Sequence, residues 1–181
     1  MSMTMDFAKQ FVRLRAAPRR LLLLGLLSCL LVGCRDRRES AAASPVRVNQ
    51  TPEQVEREIH GRVNAYRRSR GLAPLAMDHT MNTLAREHSR WMASRGKLTH
   101  RGSDRRFRKL QSEPTHLKSF AENVAFNWNH PNPGEVAVDG WIKSPGHHRN
   151  ILRRDDQVTG VGVARAKDGS WYFTQLFGLR R

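Results

Sequence analysis

The run Trp141-Ile142-Lys143-Ser144-Pro145-Gly146-His147-His148-Arg149-Asn150-Ile151-Leu152 holds the residues best suited to chemistry. Pro145 steers Ser144 away from helical geometry, because its ring crowds the preceding backbone. Gly146 permits a sharp turn. The expected product is a rigid corner from which His147 projects. An imidazole fixed at a corner can serve as a metal ligand or as a base. Ser144 brings a hydroxyl to the same corner. His148 is expected to be exposed, and Trp141 to lie in the core.

The elements that must carry this corner are legible in turn. Thr51-Pro52-Glu53-Gln54 opens a helix: Thr51 caps, Pro52 suits the first helical position, and Gln54 completes a capping box. Val55, Ile59, Val63 and Tyr66 recur at helical spacing, and Gly71 ends the segment. After the connection Leu72-Ala73-Pro74-Leu75, Asp78 caps a second helix. Met81, Leu84, Ala85, His88 and Met92 share one of its faces, and Gly96 closes it. His88 on that face reads as a satisfied core histidine. Residues 97–118 are basic and polar, with a short helix expected from Ser103 to Leu110. Phe120–Phe126 reads as a strand. Pro133 opens a helix that runs to about Lys143. Val158–Ala166 and Trp171–Phe177 read as strands, joined by Lys167-Asp168-Gly169-Ser170, whose Asp-Gly favours a tight hairpin turn. Trp171 and Phe173 are expected in the core. Helices first and a hairpin last predict an α+β fold.

The start of the chain reads as targeting rather than fold. Lys9, Arg13, Arg15, Arg19 and Arg20 precede an apolar run from Leu21 to Val32. A bilayer span needs about 20 apolar residues, so this run suits a signal peptide instead. It ends in Leu31-Val32-Gly33-Cys34, which resembles a bacterial lipobox. Residues 1–33 are therefore expected to be a lipoprotein signal peptide, with Cys34 the lipidated first residue. Residues 34–50 are expected to form a flexible tether, charged and then small and polar. Extended, it reaches on the order of 50 Å. Arg35 favours the outer membrane, facing the periplasm, by analogy with sorting rules. Residues 51–181 form the globular domain.

Cys29 and Cys34 are the two cysteines, so the domain carries no disulfide. Its roughly 130 residues must be held by one core, which is feasible at that size. The formal net charge is +16. A strongly basic exported domain is drawn to anionic envelope components such as phospholipid or wall polymer. Nucleic acid is excluded as a partner by the compartment and by the lack of a recognition helix or aromatic platform. Arg67-Arg68, Arg105-Arg106 and Arg153-Arg154 read as a dispersed, solvated surface.

Several pieces together carry a family resemblance. WIKSPGHHRNIL is similar to the W-x-x-S-P-G-H-x-x-N-I-L signature of bacterial CAP-domain proteins, the superfamily of cysteine-rich secretory, antigen 5 and pathogenesis-related proteins. VNAYRRSRGLAPL (63–75), LTHRG (98–102), AENVA (121–125), TGVGVA (159–164) and WYFTQLFG (171–178) follow the same family order. The resemblance implies an α-β-α sandwich. It also implies a cavity lined by His100, Glu122 and His147, with Ser144 beside it. Ala121 stands where Gly is usual. Ser144 stands where many eukaryotic members carry Glu, and Ser is the usual bacterial choice. Asn123 and Asn150 also match family positions and are expected to support backbone.

Two imidazoles and one carboxylate admit three readings. His100 and His147, with Glu122, can bind zinc and leave a place for water. Without metal, the trio can do acid-base work, Glu122 fixing one imidazole's tautomer. Or the histidines simply frame a ligand and join loops to the sheet. A Ser144–His147–Glu122 nucleophilic triad fits by residue type, but no nucleophile elbow surrounds Ser144. The leading expectation is a lipid-anchored module that binds an envelope ligand: a lipid, a wall fragment or a protein. The alternative is a metal-assisted or acid-base hydrolase acting on peptide or peptidoglycan bonds.

Overall fold

The computed structural model describes residues 49–112 and 115–181. The signal segment, Cys34 and the tether up to residue 48 lie outside the described residues. Among the described residues, no helix is long and apolar enough to cross a membrane.

Helix α1 (Pro52–Ser69) starts as its sequence dictates. The Thr51 hydroxyl accepts from the Gln54 amide, and the Gln54 side chain accepts from the Thr51 amide. A short strand β1 (Ala76–Met77), not anticipated from sequence, precedes α2 (His79–Arg95). Asp78 caps α2 through the Met81 amide at 2.9 Å, and Gly96 ends it in the left-handed region. Then come α3 (Ser103–Gln111), β2 (Leu117–Asn127), α4 (Pro133–Lys143), α5 (Pro145–Ile151), β3 (Val158–Arg165) and β4 (Trp171–Arg180). Strand β2 is longer at both ends than its apolar pattern indicated, because its pairing with β4 continues from Leu117 to Asn127.

The sheet order is β1-β3-β4-β2, with β1 parallel to β3 and the other pairs antiparallel. Side chains alternate across it. Val161, Val163, Trp171, Phe173, Phe177 and Ala121 face α1, α4 and α5, where Val55, Ile59, Val63, Val138, Trp141 and Ile151 complete one core. Leu176 and Val158 face the other way, against Met81, Leu84 and Ala85 of α2 and Leu110 of α3. The architecture is the expected α+β sandwich of helices about a sheet. The glycines of TGVGVA serve its second layer: a Cβ at Gly160 or Gly162 would collide with α2 backbone at Met81–Asn82 and Ala85–Arg86.

Both long edges of the sheet are closed by side chains rather than by further strands. An open edge exposes unpaired backbone groups and invites aggregation. On β3, beyond the short β1, the Val161 amide donates to Asn82 Oδ1 and the Val163 amide to Glu56 Oε1. On β2, three alternate carbonyls accept from the α4–α5 region: Phe120 from Arg153, Glu122 from Asn150 and Val124 from the Trp141 indole. The period of two on the strand is matched by side chains spread over a helix, a turn and a second helix.

Arg67 corrects the expectation of a solvated arginine surface. It is fully buried. Its guanidinium donates to the carbonyls of Ala73, Ile151 and Arg153, at 2.9, 2.7 and 2.9 Å. The fork of five donors lets one side chain satisfy loop carbonyls from two distant parts of the chain, which offsets the burial of the cation.

Candidate functional site

His147 sits near the start of α5, on the side of the sheet that packs α1 and α4. Ser144 is the residue between α4 and α5, with extended backbone at φ −92° and ψ 116°. Proline at 145 therefore breaks the helix where its effect on Ser144 demanded. The turn does not use Gly146, which lies inside α5. The corner is thus made by Ser144, and a short helix carries His147.

Two asparagines hold that helix to the strand. Asn123 Nδ2 donates to the His147 carbonyl at 3.1 Å. Asn150 Nδ2 donates to Asn123 Oδ1 at 2.9 Å and to the Glu122 carbonyl at 3.3 Å. His148 is not the exposed residue its context implied. It is half-buried, its ring nitrogen 2.8 Å from the Tyr66 hydroxyl on α1. That pairing crosses from α5 to α1 and was invisible in local sequence.

Glu122 points to the opposite face of the sheet, toward α2 and α3. It is buried, and a buried carboxylate needs partners. Arg106 on α3 supplies one, its Nε at 2.7 Å and its terminal nitrogen at 2.5 Å from Oε2. His100 Nδ1 supplies the other, 2.9 Å from Oε1. A carboxylate held by a guanidinium acts as an acceptor, so His100 Nδ1 donates to it, and in the neutral ring this tautomer leaves the lone pair on Nε2. The turn containing His100 is pinned by its neighbour: the Thr99 carbonyl lies 2.8 Å from Nε2 of His88. His88 is the satisfied buried histidine the sequence indicated. Burial first, and then the charge of Arg106, hold its imidazole below the usual histidine range.

The rings of His100 and His147 stand 6.2 Å apart between centroids, tilted by 39°. His147 on α5 and His100 in the α2–α3 turn thus meet ring to ring. The titration of His147 is pushed down, mainly by burial and further by His100. The His100 side chain remains about half exposed, at 52%. Ser144 takes no part in this network: among the described residues its hydroxyl makes no hydrogen bond to His100, Glu122 or His147. The serine triad expectation therefore has no geometric support.

Arg106 is the residue missed from sequence. It was one of many arginines in a basic stretch, and only the fold shows that it is buried against Glu122. The spacing of Ser103, Phe107 and Leu110 marks a helix but not which arginine turns inward.

A zinc centre draws on three or four protein donors. Both Glu122 oxygens are engaged by His100 and Arg106, leaving two imidazoles as donors. Among the described residues, no group of three or more His, Cys, Asp or Glu side chains is arranged to hold a metal. The donor set as folded does not fit a resident zinc.

The model of the CAP family, described as the cysteine-rich secretory protein family, matches residues 60–177. The chain belongs to this family. The uncharacterized protein YkwD of Bacillus subtilis is 32% identical to it over 127 residues, covering 68% of this CAP chain and 47% of YkwD. The uncharacterized membrane protein YlbC of the same bacterium is 32% identical over 124 residues, covering 67% of the chain and 34% of YlbC. The chain thus spans less than half the length of these curated relatives. Among solved structures, an outer surface protein of Borrelia burgdorferi superposes with a TM-score of 0.63 at 20% identity, covering 73% of the chain and 97% of that protein. An extracellular protein containing a SCP domain, from Bacillus anthracis, gives 0.58 at 24% identity, covering 73% and 44%. At these identities the likeness establishes the fold. These CAP relatives are bacterial.

Proposed function

We propose that this chain is a lipid-anchored CAP-domain protein of the bacterial envelope that binds a lipid, wall fragment or protein at the face carrying His100, Glu122 and His147. The observation that carries the reading is the enclosure of Glu122. Arg106 and His100 engage both its oxygens, so the carboxylate is spent on holding structure. What remains for a ligand is Nε2 of a half-exposed His100 beside the His147 ring. Such a pair recognises donors on a ligand without needing to turn it over. The anchor at Cys34, and placement in the outer membrane facing the periplasm, rest on the sequence of the first 34 residues. They accord with relatives named as membrane, outer surface and extracellular proteins.

The test is co-sedimentation of the full chain, its N-terminal segment shielded in detergent, with wall sacculi and with bead-immobilised envelope lipids and proteins, beside the His100→Ala/His147→Ala double variant. Both proteins keep the same N-terminal segment, so their difference reports on the histidine face. Loss of most envelope binding in a folded double variant supports the reading. Equal sedimentation of the two refutes it.

One observation favours a second reading, an acid-base hydrolase. The His100–Glu122 bond orients an imidazole in the way that a base is oriented by a carboxylate. In that reading His100 takes a proton from water at Nε2. Hydrolysis of peptidoglycan peptides by the parent, abolished by His100→Ala, would establish it.

A further inference from the structure

On the α2–α3 face lies a groove of about 740 Å³ whose wall includes neither His100 nor His147. That volume is in the range of small-ligand sites. Its wall includes Arg95, Lys97, Arg101, Arg105 and Lys109, together with the buried Arg106. One acid, Glu87, stands among them. Sequence alone left these cations scattered along residues 95–109; the turn between α2 and α3 gathers them round one concavity.

Gathering like charge costs stability unless something offsets it. Arg106 is already spent on Glu122. Among the described residues, the other five form no ion pair, although each is exposed. The groove also has an apolar side. Leu84 is buried in its wall, and Trp91 is half-buried, with the Arg101 guanidinium 5.8 Å from its ring centre. Three arginine forks with two lysines, beside an aromatic face, match phosphate oxygens on an amphipathic group. Arginine meets phosphate with two parallel donors, and lysine adds point charge.

We propose that this groove binds a phosphate-bearing ligand, with Arg101 and Arg105 as the central phosphate contacts and Trp91 covering the ligand's less polar part. The proposal does not depend on the histidine face. Its chemistry is shared by a phospholipid headgroup and by a free phosphorylated fragment, and the experiment separates them.

The experiment titrates pyrophosphate into the full chain by calorimetry at ~150 mM salt, where diffuse surface attraction is screened. Saturable single-site binding with Kd below about 1 mM is expected. Arg101→Ala/Arg105→Ala should weaken it by about tenfold or more. Arg154→Ala/Lys167→Ala removes the same charge from exposed positions elsewhere and should leave affinity unchanged. Equal weakening in both double variants, or no saturable binding by the parent, overturns the proposal. Competition by phosphatidylglycerol vesicles, and not by phosphatidylcholine vesicles, identifies the headgroup as the source. No competition by either identifies the free fragment. Tighter binding to a nucleic acid strand of equal phosphate number than to pyrophosphate and vesicles alike would overturn the small-ligand assignment.

Discussion

Nδ1 of His100 lies 2.9 Å from Oε1 of Glu122, and the partner oxygen of that carboxylate is held by Arg106. The chain thereby converts a buried acid into a fixed hydrogen-bond acceptor for an exposed imidazole. Removing the guanidinium leaves a buried carboxylate without its main counter-charge. Arg106→Ala should destabilise the fold by about 3–5 kcal/mol. Arg106→Met combined with Glu122→Leu should recover much of that loss, since an apolar pair of similar volume needs no counter-charge. Denaturant unfolding of the three proteins checks the sign and order.

Asn123 and Asn150 form one unit, so their substitutions should not add. Asn150→Ala leaves the Glu122 carbonyl and Oδ1 of Asn123 without this donor and should cost about 1–3 kcal/mol. A double-mutant cycle with Asn123→Ala should return a coupling of about 0.5–3 kcal/mol. A coupling of zero would show that α5 is held to β2 by other contacts.

Two glycines should behave in opposite ways. Gly162 faces α2 backbone at Ala85–Arg86 with no room for a methyl. Gly162→Ala should cost about 1–3 kcal/mol or more, because a helix and a strand must separate. Gly146 lies in α5 with nothing within 4 Å of where a Cβ would stand. Gly146→Ala should be neutral, or stabilising by up to about 1 kcal/mol. Thermal melts of both variants decide this.

Acid should weaken the fold through His88 and His147. Burial lowers both folded values below the ordinary 6.5. The unfolded chain then binds more protons, so stability rises with pH through the window below 6.5 and is lost as pH falls through it. The melting temperature should fall between about pH 7.5 and about pH 5.5. His88→Gln and His147→Gln should each flatten that slope. Asp156 acts in the opposite sense at lower pH, its burial raising its carboxyl above the usual range.

Helices α1 and α2 were legible because their caps are local: Thr51 with Gln54, and Asp78 with Met81, lie within three residues. The β3–β4 hairpin was legible because Asp168-Gly169 encodes its turn. The burial of Arg67 and Arg106 was not, because each cation's partners lie far along the chain or on another element. His148 was misplaced for the same reason, its partner Tyr66 being on α1. Gly146 was assigned the turn that Ser144 makes: the restriction that Pro145 imposes on its predecessor suffices without glycine. His100, Glu122 and His147 came from family motifs. Their sequence separations carry no sign that β2, the α2–α3 turn and α5 would bring them to one edge.

In the proposed function, ligand meets the protein at His100 and His147. The direct measurement is histidine-ring NMR of the isotope-labelled full chain during titration with solubilised envelope lipids and wall fragments. Saturable shifts of the His100 and His147 ring resonances, absent from the matching alanine variants, are expected, while those of His88 and His148 move little. Saturable binding that leaves both rings unmoved, or no binding by any of these fractions, would contradict the proposed function.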